Sequence, residues 1–188
     1  MMEIHENGYW PAAGAEREHL CSPKLAGFLV SYLDKTVPTY DFGCGMGTYL
    51  LSLQNNGFER LHGFEGDPPF AHHFAGIERH DLTKPLVVAP PGNVLCLEVS
   101  EHVPAQYAGT LLDTITAACA DRLVLSWAIR GQAGLGHVNC LDSYEVLPML
   151  MGRGFSLDMS ATRQARALGG ADLGWFAQSL LVMRKAAP

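Results

Sequence analysis

The sequence has few charged residues, and positive ones are the scarcer sign. Only 17% of its 188 residues are charged, and 13 lysines and arginines face 19 aspartates and glutamates, for a net charge of −6. This balance argues against a general affinity for nucleic-acid phosphates. Arg153, Arg163 and Arg166 form the one basic cluster, and a solvated face explains them equally well. We expect no nucleic-acid partner.

Long apolar runs, a leader pattern and paired cysteines are also missing. No apolar run approaches the roughly 18 residues of a membrane-spanning helix. The N-terminus, with Glu3, His5 and Glu6, lacks the basic and apolar pattern of a signal peptide. The five cysteines show no C-x-x-C spacing, which predicts reduced thiols rather than zinc ligands. We expect one cytoplasmic domain over residues 1–188, without a membrane span.

A glycine-rich turn is the most informative feature that is present. Residues 41–47 read D-F-G-C-G-M-G, between a strand-like segment, Thr36 to Phe42, and a helix-like segment, Thr48 to Gln54. A turn without side chains lets a ligand lie on the backbone, at the free N–H groups of a helix start. The dinucleotide pattern G-x-G-x-x-G fails, because its third position is Thr48 or Leu50.

The carboxylate of Asp41, at the strand end, would repel a pyrophosphate and favour a cationic ligand. The turn resembles motif I of the class I S-adenosylmethionine-dependent methyltransferases, whose cofactor carries a sulfonium and an ammonium group. The resemblance implies that Asp41, Gly43, Gly45 and Gly47 lie under the methionine end of this cofactor. A tight turn with no cofactor is the alternative interpretation.

Two acidic segments follow in the order expected of that family. Glu65, followed by Gly66, comes about 20 residues after the turn, where a carboxylate accepts hydrogen bonds from ribose hydroxyls. Asp67 is the second choice, and a solvated loop acid is the alternative. The resemblance implies that Asp81 and Leu82 contact the adenine, although an Asx-turn explains Asp81 almost as well.

The segment after the fourth strand-like run adds a more specific likeness. Residues 93–97 are almost entirely apolar, as in a strand buried on both faces, and L-E-V-S-E-H-V-P follows from Leu97. This run resembles the corresponding segment of the ubiquinone-biosynthesis O-methyltransferases, and it implies a cofactor contact for Glu98. The ordered series of four segments is more specific than any single one.

The alternation of elements predicts an α/β fold: a Rossmann-like three-layer sandwich over residues 36–188, preceded by a lid segment and helix over 1–35. The resemblance implies a seven-stranded, mostly parallel sheet with a C-terminal antiparallel pair. Helices are predicted over Glu16–Leu33 (broken or begun at Pro23), Thr48–Gln54, Phe70–Phe74, Gln106–Ala120 and Ser143–Met151, and strands over Thr36–Phe42, Arg60–Glu65, Ile77–Asp81, Val94–Leu97, Arg122–Trp127, Phe155–Thr162 and Trp175–Met183.

Two histidines follow strands of the predicted sheet and are candidates for a general base. His102 comes after the fourth strand, and His137 lies in a glycine-rich loop after the fifth. A helix-capping or second-layer role is the alternative for His102. Together with Glu98 and Glu101 they would offer metal ligands, but no spacing such as H-E-x-x-H is present, so the sequence predicts no metal site.

The sequence therefore predicts a methyltransferase that transfers a methyl group from S-adenosylmethionine to a small molecule, with oxygen the favoured acceptor, leaving S-adenosylhomocysteine. Tyr9 and Trp10, ahead of the first helix, form a lid over the site or a tail packed on the fold. A nicotinamide-dependent oxidoreductase and a non-catalytic cofactor-binding subunit of a methyltransferase complex stay open as alternatives. The sequence does not indicate the oligomeric state.

Overall fold

A seven-stranded sheet runs through the middle of the molecule. The computed structural model describes residues 4–12, 19–68 and 72–186. Its strands are β1 (Thr39–Phe42), β2 (Leu61–Glu65), β3 (Ile77–Arg79), β4 (Gly92–Cys96), β5 (Cys119–Ser126), β6 (Phe155–Leu157) and β7 (Leu180–Lys185). Their order is β3-β2-β1-β4-β5-β7-β6, and β7 pairs antiparallel with β5 and β6 while the other pairs are parallel. The predicted sheet with an antiparallel end is confirmed.

Helices cover both faces of the sheet, which confirms the three layers. They are α1 (Pro23–Tyr32), α2 (Thr48–Asn55), a 3-10 turn (Ala105–Tyr107), α3 (Ala108–Ala118), α4 (Ser143–Met151), α5 (Met159–Asp172) and α6 (Phe176–Ser179). Leu25, Leu50 and Ala165 bring α1, α2 and α5 into one core, and Leu111 and Val146 bring α3 and α4 into the other. In the described part of the chain, no helix combines the length and apolar character needed to cross a membrane.

The first helix begins at Pro23, one of the two possibilities that the sequence left open. Ser22 caps it, since its Oγ accepts the N–H of Leu25 at 3.0 Å, and proline suits the first helical turn because it has no N–H to satisfy. The prediction of a helix from Glu16 is wrong for residues 19–22, which are not helical. Residues 16–18 lie outside the described residues.

The C-terminal third contains a helix that the sequence predictions missed. The strand predicted over Phe155–Thr162 ends at Leu157, because Asp158 accepts the N–H of Ala161 at 2.9 Å and starts α5. The strand predicted over Trp175–Met183 begins as α6 and becomes β7 only at Leu180. The short helix predicted over Phe70–Phe74 is not found at residues 72–74, and residues 70 and 71 lie outside the described residues.

The order in which the chain adds strands to the sheet reverses at β1. The chain passes from β1 to β2 on one side, while β4 pairs with β1 on the other, with Tyr40 opposite both His62 and Val94. Every residue of β1 and β4 is buried, as strands covered on both faces require. A crevice outside the carboxyl ends of such strands is where open α/β sheets place their ligands.

Candidate functional site

The glycine-rich loop leaves β1 at this crevice and turns into α2. Gly43, Gly45 and Gly47 have φ angles of +79°, +54° and +73°, which side chains rarely adopt. A Cβ on Gly43 would lie 2.2 Å from Cγ2 of Val99, and one on Gly45 would lie 2.6 Å from Nδ1 of His19. The loop therefore needs glycine for its conformation and for the close approach of its neighbours.

Two buried carboxyl groups lie beside this loop. Asp41 is 2% exposed, and burial together with the charge of Glu65 raises its pKa to about 7. Glu65, the last residue of β2, accepts the backbone N–H groups of Gly45 and Gly66 at 2.8 Å each. Burial raises the pKa of Glu65 too. Both carboxylates favour a ligand with positive charge or hydroxyl donors.

Glu98 follows β4 in a strained conformation. Its φ of +57° is one that residues other than glycine rarely adopt. Ser126, at the end of β5, holds it in place: its Oγ accepts the N–H of Glu98 at 2.6 Å and donates to Oε1 of the same residue at 2.7 Å. Burial raises the pKa of Glu98 to about 7. Strain that is held in this way is typical of ligand sites.

Glu101, His102 and His137 meet next to Glu98. Each of the three offers one ligand atom, and these atoms lie within 4.8 Å of one another. Glu101 is fully buried, and neither of its carboxyl oxygens has a hydrogen-bond partner among the described residues. Its Oε1 lies 4.0 Å from Nε2 of His137. Burial and the charge of Glu98 raise the pKa of Glu101 to about 8.

The two histidines that the sequence predicted as bases are therefore neighbours. Their ring centroids are 5.0 Å apart. Nδ1 of His102 lies 3.2 Å from the carbonyl of Gly136, and Nδ1 of His137 lies 3.1 Å from the carbonyl of Gln132. Since a carbonyl only accepts, each Nδ1 carries a proton, and in the neutral form of each imidazole Nε2 keeps its lone pair. Burial and the charge of His137 lower the pKa of His102 to about 4.

A segment near the N-terminus lies along the same groups. Tyr9 packs against Gly66, where an added Cβ would lie 2.3 Å from the Cβ of the tyrosine. Trp10 stacks on His19 and meets His102 edge-on, with centroids 5.5 Å apart in both pairs. Tyr9 and Trp10 thus both lie on the wall of the crevice, Tyr9 at Gly66 and Trp10 at His19 and His102.

One cavity of about 320 Å³ joins these groups, a size in the range of small-molecule sites. The predicted residues on its wall are Asp41, Gly43, Gly45, Glu65, Gly66, Leu82, Glu98, His102 and His137. Two others lie off the wall. Gly47 caps α2, and Asp81 accepts bonds from Thr83 and, at 2.7 Å, from Nδ2 of Asn7.

Sequence comparison with protein-family models and with curated proteins found no match. Comparison with solved structures found many folds of the same kind. The magnesium protoporphyrin IX methyltransferase of Synechocystis, crystallised with S-adenosylhomocysteine, is 17% identical, with a TM-score of 0.61 over 86% of this chain and 80% of that one. The sugar N-methyltransferase KedS8 of Streptoalloteichus is 13% identical, with a TM-score of 0.66 over 88% of both chains.

The chain has the fold of the class I methyltransferases. The same fold occurs in the [4+2]-cyclase SpnF, which is 15% identical, with a TM-score of 0.60 over all of this chain and 87% of that one. The methyltransferase fold alone therefore does not establish methyl transfer, and the function depends on the residues of the cavity.

Within this methyltransferase fold, the sequence predictions missed several cavity residues. His19 was given no role, yet it covers Gly45 and stacks on Trp10. Trp175 and Phe176 reach the cavity from the C-terminal end of the chain, which no local pattern indicates. Glu101 is not on the cavity wall, and in the sequence it stands out only as a possible metal ligand beside Glu98 and His102.

Proposed function

We propose that the chain is an S-adenosylmethionine-dependent methyltransferase that acts on a small molecule, with oxygen as the favoured acceptor atom. The main support for the proposal is one cavity at the crevice beside β1, where the strand order reverses. In it, a glycine loop lies beside the buried carboxyl groups of Asp41 and Glu65. These carboxyl groups complement a ligand with sulfonium, ammonium and hydroxyl groups. The same two carboxyl groups suit a pyrophosphate poorly, because it is also negatively charged.

Each end of the cofactor has a counterpart on the cavity wall. Asp41 and the loop from Gly43 to Gly47 would hold the positively charged methionine end. Glu65 would accept the ribose hydroxyls through lone pairs that its bonds to Gly45 and Gly66 leave free. Leu82 would pack on the adenine, and Asp81 would reach its amine only by exchanging its bond to Asn7.

Transfer requires an oxygen in line with the methyl group and a destination for the oxygen's proton. S-adenosylmethionine supplies an activated methyl group: a bond from oxygen to the methyl carbon forms as the carbon–sulfur bond breaks, with its electron pair going to sulfur. His102 and His137 would lie at the acceptor end, and in the neutral form of each, with Nδ1 donating to a carbonyl, Nε2 can accept a proton. Tyr9 and Trp10 would help to exclude water from the acceptor.

Calorimetric titration with S-adenosylmethionine and S-adenosylhomocysteine tests the proposal directly. Folded protein should bind both, and a failure to bind either contradicts the proposal. Glu65→Ala should weaken binding by about 10- to 100-fold, because charged hydrogen bonds contribute about 1.5–3 kcal/mol each. The matched control is Glu78→Ala, which removes an exposed carboxylate from the neighbouring strand β3 and should leave affinity unchanged.

Two further measurements separate the alternatives. Binding of NADH, followed by its fluorescence, would favour an oxidoreductase. A non-catalytic subunit would be favoured if wild type and His137→Ala both bind the cofactor and neither transfers a methyl group to any acceptor. The proposal itself predicts that His137→Ala keeps cofactor affinity and loses turnover.

A further inference from the structure

We propose that Glu101, His102 and His137 bind a divalent transition-metal cation at the acceptor end of the cavity. These residues do not have a spacing such as H-E-x-x-H, and the sequence accordingly predicts no metal. The fold brings them together from two loops, one after β4 and one after β5. The inference does not depend on the proposed function, because the cation can be measured without the cofactor.

The cluster brings one carboxyl group and two imidazoles to face one another. Glu101 is fully buried, and both of its oxygens lack a hydrogen-bond partner among residues 4–12, 19–68 and 72–186. In the neutral imidazoles of His102 and His137 the remaining nitrogen, Nε2, has a free lone pair, since each Nδ1 donates to a backbone carbonyl. Three lone-pair donors that converge within 4.8 Å need a positive charge between them.

A proton on Glu101 does not satisfy this arrangement. A proton on Glu101 or on Nε2 of His137 would have to bridge these two groups, but Oε1 and Nε2 are 4.0 Å apart, and hydrogen bonds of this kind are about 2.5–3.2 Å long. The gap is too long for a hydrogen bond and suits an atom that lies between the two groups. A cation therefore accounts for the spacing better than a proton does.

The surroundings of the imidazoles are those of metal ligands. A histidine that binds a metal usually donates its other ring N–H to a carbonyl or a carboxylate, which fixes the tautomer and the ring orientation. Both His102 and His137 do so, to Gly136 and Gln132. The same loop after β5 thus supplies one ligand and both carbonyls.

The distances require little movement on binding. Bonds from zinc-like ions to nitrogen or carboxylate oxygen are about 2.0–2.2 Å long, so ligand atoms around a tetrahedral ion lie about 3.3–3.5 Å apart. Oε1 of Glu101 and Nε2 of His137 need to approach from 4.0 Å by less than about 1 Å, and no pair of the ligand atoms, all within 4.8 Å, by more than about 1.5 Å.

Two imidazoles and one carboxylate suit ions such as Zn²⁺, Co²⁺ or Mn²⁺ better than Mg²⁺, which prefers oxygen ligands. Three protein ligands leave coordination positions open, and both histidines lie on the cavity wall. An oxygen atom of the acceptor can take such a position. Under this proposal His102 and His137 act as ligands instead of free general bases.

Titration of chelator-treated, cofactor-free protein with Co²⁺ tests the proposal. Visible absorption of Co²⁺ reports coordination by nitrogen ligands, and mass spectrometry of the gel-filtered protein reports the bound amount. We expect about one Co²⁺ per chain, displaced by Zn²⁺ and not by an equal concentration of Mg²⁺. If wild-type protein shows no saturable absorption with Co²⁺, the proposal is refuted.

Two variants and a control separate this site from adventitious binding. Glu101→Gln and His137→Ala should each weaken Co²⁺ binding by at least about tenfold, and His72→Ala, at an exposed histidine, should bind like wild type. Glu101→Gln removes a buried charge without a partner, so its metal-free unfolding temperature should not fall. Zn²⁺ should raise the unfolding temperature of wild type and not of this variant. Equal Co²⁺ binding by all four proteins would contradict the assignment.

Discussion

Replacement of Asp41 by asparagine should stabilise the cofactor-free protein at neutral pH and destabilise its complex with the cofactor. Burial and Glu65 raise the pKa of Asp41 from 3.8 to about 7. Between these two values the folded protein holds a proton that the unfolded chain has lost, so stability falls as pH rises. Above pH 7 both states are ionised, and the full difference of about 3 pKa units costs about 4 kcal/mol.

Asparagine has nearly the same shape and no charge, so Asp41→Asn should recover most of this free energy. The gain over wild type should grow from about 1–2 kcal/mol at pH about 5 to about 4 kcal/mol at pH about 8. Urea unfolding at the two pH values, with equal m-values for both proteins, gives the difference directly. The same variant should bind S-adenosylmethionine more weakly than wild type, measured by calorimetry.

The control is Asp113→Asn, at a side chain that is 70% exposed and pairs with Arg153 on the surface. Its effect should stay within about 0.5 kcal/mol at both pH values, because exposed ion pairs contribute little. A gain in Asp41→Asn that is the same at pH 5 and pH 8 would refute the electrostatic reasoning. A loss of stability at pH 8 would show that Asp41 is already paired in the free protein.

Three further changes test the packing that shapes the site, each by urea unfolding at pH 7. Gly43→Ala should lose about 2–4 kcal/mol, since φ is +79° and the new Cβ would lie 2.2 Å from Val99. Gly27→Ala, in the exposed middle of α1 with no atom near the new Cβ, should gain about 0.5–1 kcal/mol, and a loss would contradict the helix assignment. Asn93→Ala should lose about 2–3 kcal/mol, because its side chain bonds both the N–H and the carbonyl of Asp34; a loss under 1 kcal/mol would show that water replaces it.

Elements with strong local patterns could be predicted from the sequence. The helix over Ser143–Met151 has the predicted bounds, because Asp142 and Glu145 form a capping box around its first turn. The strand β4 was found as a nearly continuous apolar run, since strands buried on both faces favour apolar residues. The helix α5 was missed because its local pattern is weak. Its buried side is made of small residues such as Ala161, Ala165 and Gly169, which differ little in hydrophobicity from the exposed side.

The candidate site was predictable only where its residues are close in sequence. The glycine loop and Glu65 follow directly from strand ends, and parallel strands bring their carboxyl ends to one edge. The meeting of Glu101 with His137 depends on the path of the loop after β5, where Glu101's own carbonyl accepts the N–H groups of Val138 and Asn139 at 2.9 and 3.0 Å. Such contacts between distant backbone segments leave no periodic pattern.

Four largely buried acidic side chains lie close to the cavity, and positively charged ligands would offset the free-energy cost of burying their charges. Asp41 and Glu65 lie at the ends of β1 and β2, and Glu98 and Glu101 follow β4; burial raises the pKa of all four. A chain selected for stability alone would have neutral residues at these positions, because a buried carboxylate without a partner destabilises the fold. Their presence fits a site that is completed by ligands, with a sulfonium cofactor next to Asp41 and a metal cation next to Glu101. On this reasoning each ligand should raise the unfolding temperature by itself, and the acidic cavity lowers the stability of the free protein in exchange for affinity.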